Sequence, residues 1–320
     1  MAERKQWIDV LKGIGIIYVV FGHLAPAMII EKHIYSFHMM LFFAVSGYLF
    51  DANCEYRVFA KKKFKALMIS FLAWNSISVI IGYLLFDVSL GASLYALFGL
   101  EGTWSWNSPV WFLFILFITE NIFYVISRTG KFVRGGVALL CIILGYMFNR
   151  HVFTATLHVL PTSVLMMILG KAIRKYNLAD KFSGKSVGTQ YIFVAVMLLL
   201  NVVGAYFNTR VSVYHSEYGN YLLAVTVSVL GILAYGGLAL IIKSNGIIEY
   251  FGRNSLLLVC VQYYIFKLYQ IILSVLFKID VWYYRSTLKA VILTIVTLIL
   301  FKLINEIYNR AKFNWKGKQK

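Results

Sequence analysis

The stretch from Trp7 to His23 reads W-I-D-V-L-K-G-I-G-I-I-Y-V-V-F-G-H and places ionisable side chains inside an apolar run that can begin a membrane helix. These side chains are Asp9, Lys12 and His23. Because charged groups are costly within a bilayer, such residues usually serve a function. At ~100° and ~1.5 Å per residue, Lys12 and His23 share one helix face and lie about 16 Å apart along the helix axis.

The composition of the whole chain is that of a membrane protein. Of its 320 residues, 60% are hydrophobic and 14% are charged, whereas about a quarter of an average soluble protein is charged. Long apolar runs favour helices over the short alternating strands of a membrane barrel. We therefore predict an all-α polytopic membrane protein with a single domain over 1–320. Its ten predicted spans lie near 8–29, 35–50, 65–86, 108–126, 134–149, 153–170, 188–207, 219–242, 254–277 and 286–308.

The positive charges orient these spans. The net charge is +18, but the basic residues cluster in short segments between spans, which argues against nucleic-acid binding. Of the 31 lysines and arginines, 22 fall in segments that are cytoplasmic if the N-terminus is cytoplasmic, 5 fall in outside segments and 4 fall in spans. This asymmetry predicts ten spans with both termini in the cytoplasm.

The three cysteines give no sign of a disulfide framework or a metal site. Cys54, Cys141 and Cys260 are odd in number and far apart, unlike the close spacings of metal ligands. We predict no bound metal.

The predicted topology gives each polar residue a depth. Lys12 lies near the cytoplasmic surface and His23 lies toward the outer half. The second span runs back from near Tyr35, so His38 could reach a depth similar to that of His23. The segment 31–33 between them is expected to be a tight outer loop. Structural interpretations stay open, because lysine can extend to lipid phosphates and a buried histidine can simply satisfy hydrogen bonds.

Histidine is the side chain best suited to proton transfer at neutral pH. Held in a membrane cavity, it can take the proton of a hydroxyl that attacks an acyl carbonyl. A basic cytoplasmic rim suits a polyanionic donor such as acyl-coenzyme A, whose long arm could bridge Lys12 and His23. A proton-coupled transporter would also place histidine and lysine in its spans.

Two long blocks resemble the opening of the acyltransferase-3 family of integral membrane acyltransferases. They are W-I-D-x-L-K-G-I-G-I-x-x-V-V-x-G-H from Trp7 and I-Y-S-F-H-M-x-L-F-F-x-x-S-G-Y-L-F from Ile34. The nearest branch is that of sugar O-acetyltransferases named for fucose 4-O-acetylase. Shorter blocks at 109–113, 218–220 and 252–256 also resemble that branch, so the similarity covers most of the chain.

The resemblance implies roles for individual residues. His23 occupies the position of the family's essential histidine, with His38 as a second catalytic residue. Lys12 stands where the family has arginine, and it would bind the donor together with Ser46. Lysine keeps the charge but loses the planar, bidentate guanidinium. Many relatives have a histidine where Gln262 stands, and we assign no acid–base role to that residue. The expected substrate-binding residues are Asp9, Trp111, Glu120, Asn220 and Asn254.

The family usually moves acetyl groups from acetyl-CoA onto extracytoplasmic glycans or related acceptors. We therefore expect an O-acetyltransferase in a bacterial cytoplasmic membrane, with acetyl-CoA, a glycan or lipid-linked sugar and the lipid bilayer as partners. The oligomeric state stays open, with a homodimer as one alternative. The alternative function is a membrane transporter or flippase for a glycan or acyl donor.

Overall fold

The computed structural model describes residues 5–85, 88–99, 106–278 and 285–317. Within these ranges the chain is helical and forms no β-strand beyond an isolated bridge between Ser212 and Glu217. Eight of the described helical segments are long and apolar enough to cross a membrane. The prediction of an all-α polytopic membrane protein is confirmed, while the count of ten spans stays a prediction.

Fourteen α-helices are described in these ranges, some of them joined by short π-helical or 3-10 turns. They are α1 (Gln6–Gly22), α2 (Met28–Leu49), α3 (Tyr56–Lys63), α4 (Ile69–Leu85), α5 (Leu90–Phe98), α6 (Trp111–Ser127), α7 (Lys131–Phe148), α8 (Leu160–Lys175), α9 (Leu178–Ser183), α10 (Val187–Phe207), α11 (Tyr221–Ile242), α12 (Gly246–Arg253), α13 (Ser255–Phe277) and α14 (Thr287–Gly317).

The turn between the first two helices differs from the sequence expectation. α1 ends at Gly22 instead of continuing to residue 29, and α2 begins at Met28, so the segment expected to be an outer loop is helical. Pro26 explains the early end of α1, because proline disfavours helical backbone at the residue before it. Ala25, in the turn, has a left-handed backbone with a φ of +52°.

α1 lies at the centre of the bundle. It contacts α2, α11, α12, α13 and α14, and most of its residues are buried. A helix that is apolar over most of its surface, as α1 is, is expected in such a position. The two glycines at its contact with α12 permit a very close approach, because a Cβ on Gly13 would meet the Ile248 carbonyl and one on Gly252 would meet the Asp9 carbonyl. Small residues at helix contacts commonly serve this purpose in membranes.

The two ends of the bundle carry different polar clusters. The beginning of α1 packs beside α12, and Asn305 of α14 donates a hydrogen bond to Tyr250 in α12 at 2.9 Å. The beginning of α1, helix α12 and the part of α14 around Asn305 thus lie at the same end of the bundle. We name it the Lys12 end. The opposite end, at the turn after α1, is the His23 end.

Candidate functional site

His23 and His38 line one small cavity of about 60 Å³ toward the His23 end. The cavity lies where α1, α2, the start of α6, the 208–220 loop and α13 meet. Its walls are mainly aromatic and aliphatic, and they include Tyr35, Trp111 and Tyr214. The two imidazoles are therefore the main polar groups of a largely apolar lining.

Hydrogen bonds to the backbone fix the proton on each ring. His23 Nδ1 lies 2.6 Å from the Val19 carbonyl oxygen, and His38 Nδ1 lies 2.8 Å from that of Ile34. A carbonyl oxygen only accepts, so each Nδ1 donates and the Nε2 of each neutral ring keeps its lone pair. Among the described residues, neither Nε2 has a hydrogen-bond partner. Both imidazoles can therefore take a proton.

Tyr35 links these histidines to a charged cluster. Its ring centroid lies 4.9 Å from that of His38 and 6.1 Å from that of His23. The Arg210 guanidinium also packs on the Tyr35 ring, 3.9 Å from its centroid. Arg210 Nε also donates to Glu31 at 2.6 Å, and Arg285 donates to the second oxygen of the same carboxylate. The cluster therefore holds the tyrosine wall of the cavity in place.

A second and larger cavity lies on another side of His23. Its volume is about 270 Å³, and Trp106, Tyr263 and Phe266 give it an aromatic wall. Lys267 and Gln270 add polar groups, and the side-chain oxygen of Gln270 is buried without a hydrogen-bond partner among the described residues. The Tyr263 ring meets His23 edge to face at 5.3 Å between centroids. His23 thus borders both cavities.

Lys12 and Asp9 lie at the other end of α1 and form an ion pair of 2.9 Å. Asp9 also pairs with Arg253 at 3.4 Å, and Arg253 donates to Glu249 at 2.6 Å. Two cations and two carboxylates therefore balance one another in this cluster. The structure places Lys12 and Asp9 together, well separated from His23.

Of the remaining sequence-predicted residues, all except Trp111 line neither histidine cavity. Glu120 is buried and accepts from Lys63 at 2.7 Å. Asn220 caps α11 by accepting from the Leu223 amide. Asn254 donates to the Tyr250 carbonyl at the Lys12 end. Ser46 is half-buried on α2, about two turns from His38 toward the Lys12 end. Trp111 alone of the predicted substrate-binding residues lines the histidine cavity.

Two other polar residues of the spans have distinct settings. His158 accepts from the Phe153 amide, and its Nε2 lies 3.1 Å from the Tyr214 carbonyl oxygen, so it joins the 153–159 segment to the 208–220 loop as a structural histidine. Gln262 is completely buried, and neither atom of its amide has a partner in the described part of the chain.

Sequence reasoning missed the residues that complete these cavities. Tyr35, Trp106 and Tyr263 are three of many aromatic residues in this chain, so their residue type gave no signal. The pairing of Arg210 with Glu31 joins residues 179 positions apart, which no spacing rule could reveal. The sequence offered one hint, namely that both are charged residues in segments predicted to lie outside the membrane on the same side.

The described residues contain no group of three or more His, Cys, Asp or Glu side chains that could hold a metal ion. Comparison with curated proteins and with solved structures gave no match. The family model described as an acyltransferase domain matches residues 5–305, which is nearly the whole chain. The matched range includes both histidine cavities and the Lys12 cluster. The chain therefore belongs to the acyltransferase-3 family of membrane acyltransferases.

Proposed function

We propose that this membrane acyltransferase moves an acetyl group from cytoplasmic acetyl-CoA to a hydroxyl of an extracytoplasmic glycan or lipid-linked sugar. One observation carries the proposal: His23 borders two cavities with its Nδ1 fixed by the Val19 carbonyl and its Nε2 unpartnered among the described residues. A base in this position can serve an acceptor in one cavity and an acyl carbonyl in the other.

In the proposed reaction, His23 Nε2 takes the proton of the acceptor hydroxyl as its oxygen attacks the thioester carbonyl. A carbon–oxygen bond forms and the carbon–sulfur bond breaks. The proton then passes from His23 to the departing sulfur, which leaves as the thiol of coenzyme A. His38 lies in the same cavity with its own Nε2 lone pair. We assign His38 one of two roles: it orients the acyl group, or it acts as a second proton acceptor beside His23.

The acceptor fits the larger cavity. Trp106, Tyr263 and Phe266 offer ring faces and edges against which a sugar ring can pack. The unpartnered oxygen of Gln270 can accept a hydrogen bond from a sugar hydroxyl. A sugar bound there would have a hydroxyl within reach of His23, the residue that the two cavities share.

The donor is proposed to approach from the Lys12 end, with Lys12 and Arg253 facing its phosphates and Ser46 along the path of its pantetheine arm. The charge balance sets a condition on this step. Because Asp9 and Glu249 already pair with these cations, a phosphate group must compete with two carboxylates. The donor phosphates, carrying more than one negative charge, can do so more readily than a single carboxylate.

The two opening blocks support a place in the fucose 4-O-acetylase-like branch, and with it a bacterial cytoplasmic membrane. The test is mass spectrometry of cell-surface glycans from cells with the gene, without it, and with a His23→Ala copy. The proposal expects an acetyl ester in the first sample only. An unmodified glycan that fails to reach the surface without the gene would instead favour transport.

A further inference from the structure

An apolar groove opens on the side of the bundle near the Lys12 end. Its volume is about 480 Å³, and it lies between α1, α2, α8, α9, α10 and α11. It shares no lining residue with either histidine cavity. We name it the lysine-rimmed groove; its walls include Trp7, Leu11, Phe182, Phe193 and Leu240, and its rim includes Lys181 and Lys185.

The groove is open on the α10 side. Thr189 and Lys185 line it and are exposed, and α10 is exposed over most of its length. In a membrane this side faces lipid. Because the walls are almost entirely apolar, water would hydrate them poorly and a hydrocarbon chain would cover them well.

The rim is basic. Lys181 and Lys185 are exposed, and within the described ranges neither forms an ion pair. Lys5 adds a third cation because its Nζ donates at 3.3 Å to the hydroxyl of Tyr48, another groove residue. Asp180 is the acidic residue of the same short helix. The balance favours an anionic group at the mouth of the groove.

We propose that the lysine-rimmed groove binds one acyl chain of an anionic phospholipid, with the lipid phosphate between Lys181 and Lys185. The volume falls within the range of about 300–1,000 Å³ typical of sites for small molecules. Basic pockets between helices at the cytoplasmic side of a membrane are suited to anionic headgroups. The inference rests on the groove alone and does not depend on the proposed acyl transfer.

A glycine allows the chain-binding part to be tested. Gly236 lines the groove, and a Cβ added to it would meet no atom within 4 Å. The variant Gly236→Leu therefore fills the groove without a clash at its first atom. The matched control is Gly136→Leu on α7, whose Cβ also meets open space and which does not line the groove.

The probe is phosphatidylglycerol with a photoreactive group in one chain, offered to the full-length protein in neutral-lipid nanodiscs. We expect labelled peptides from α10 and α11 in the wild-type protein. Gly236→Leu should lose most of this labelling, whereas Gly136→Leu should be labelled as strongly as the wild type. A lysine near an anionic group contributes a factor of about five, so Lys181→Gln with Lys185→Gln should weaken binding about 20- to 30-fold at low salt.

These exposed lysine substitutions keep the test valid even if Gly236→Leu does not fold. Labelling that is the same for all variants, or that is as strong with a zwitterionic probe, would overturn the proposal. Displacement of the probe by a long-chain acyl-CoA but not by unlabelled phosphatidylglycerol would also overturn it and assign the groove to the donor. His23→Ala should label normally, which separates this result from the fate of the transferase proposal.

Discussion

The Glu31 carboxylate at the His23 end depends on two arginines, and removing one of them should be costly. Glu31 is 4% exposed, with Arg210 on one oxygen and Arg285 on the other. Losing a hydrogen bond to a charged group costs about 1.5–3 kcal/mol. Arg210 is about one-third exposed, so water replaces part of the interaction. Because Arg285 remains in place, we expect Arg210→Gln to lower the free energy of unfolding by about 2 kcal/mol.

A double-mutant cycle isolates the electrostatic part of this cost. Glu31→Gln removes the buried charge, so a neutral amide in the Arg210→Gln background no longer needs a cation. The double variant should therefore be less destabilised than the sum of the two single variants, by about 1 kcal/mol. Thermal unfolding of the four purified proteins in one detergent measures this difference. Strictly additive shifts would refute the interpretation that Arg210 stabilises the protein by neutralising Glu31.

Three further predictions concern the spans and the Lys12 end. Lys63→Met should destabilise the protein by about 3 kcal/mol, more than Glu120→Gln does, because it leaves a buried carboxylate unpaired; equal thermal midpoints would contradict this. Gln262→Met should raise the midpoint, because it removes a buried amide that has no partner in the described residues; a lower midpoint would mean that the amide has a partner in the protein. The hydrogen bond from Ser244 lowers the pKa of Glu249, helped by the Asn245 amide and Arg253. The stabilisation by the Glu249 carboxylate is therefore fully present above its ordinary pKa of about 4.5 and is lost as the pH falls through the lowered pKa of the folded protein. Glu249→Gln should thus flatten the acid side of a plot of thermal midpoint against pH. An unchanged plot would contradict this prediction.

Helix periodicity and charge were enough to predict the class of fold and the part played by α1. Ionisable residues inside an apolar run indicated that the rest of the chain encloses this helix, and α1 is the central helix of the bundle. The spacing of Lys12 and His23 predicted one end of the helix for each, as the structure places them. Depth arguments also suggested that His38 could approach His23, and the two line one cavity.

The sequence was less informative where contacts join distant segments. Residues 31–33 appeared to be a loop because they are polar, yet they continue α2. Their polarity is accommodated by partners on other elements: Glu31 by Arg210, and His33 by Asn201 at 2.6 Å and Tyr235 at 2.8 Å. Tertiary hydrogen bonds of this kind override the local preference for a turn, and no local sequence pattern predicts them.

The short motifs were ambiguous for a related reason. Asn220 lies in a block that resembles the family, but its side chain caps α11 and lies outside both histidine cavities. Asn254 likewise bonds to the backbone of α12. An asparagine at a helix end has a sufficient structural reason to be there, so its residue type alone could not distinguish a substrate contact from a cap.

The most direct test of the central claim is transfer of radiolabelled acetyl from acetyl-CoA by purified protein in liposomes that contain extracted cell-surface glycan or its lipid-linked precursor. Wild-type protein should label the acceptor. His23→Ala should lose the activity while keeping its thermal midpoint, and His151→Ala should keep it, since His151 is an exposed histidine that lines neither histidine cavity. Transfer by His23→Ala at the wild-type rate would contradict the role assigned to His23.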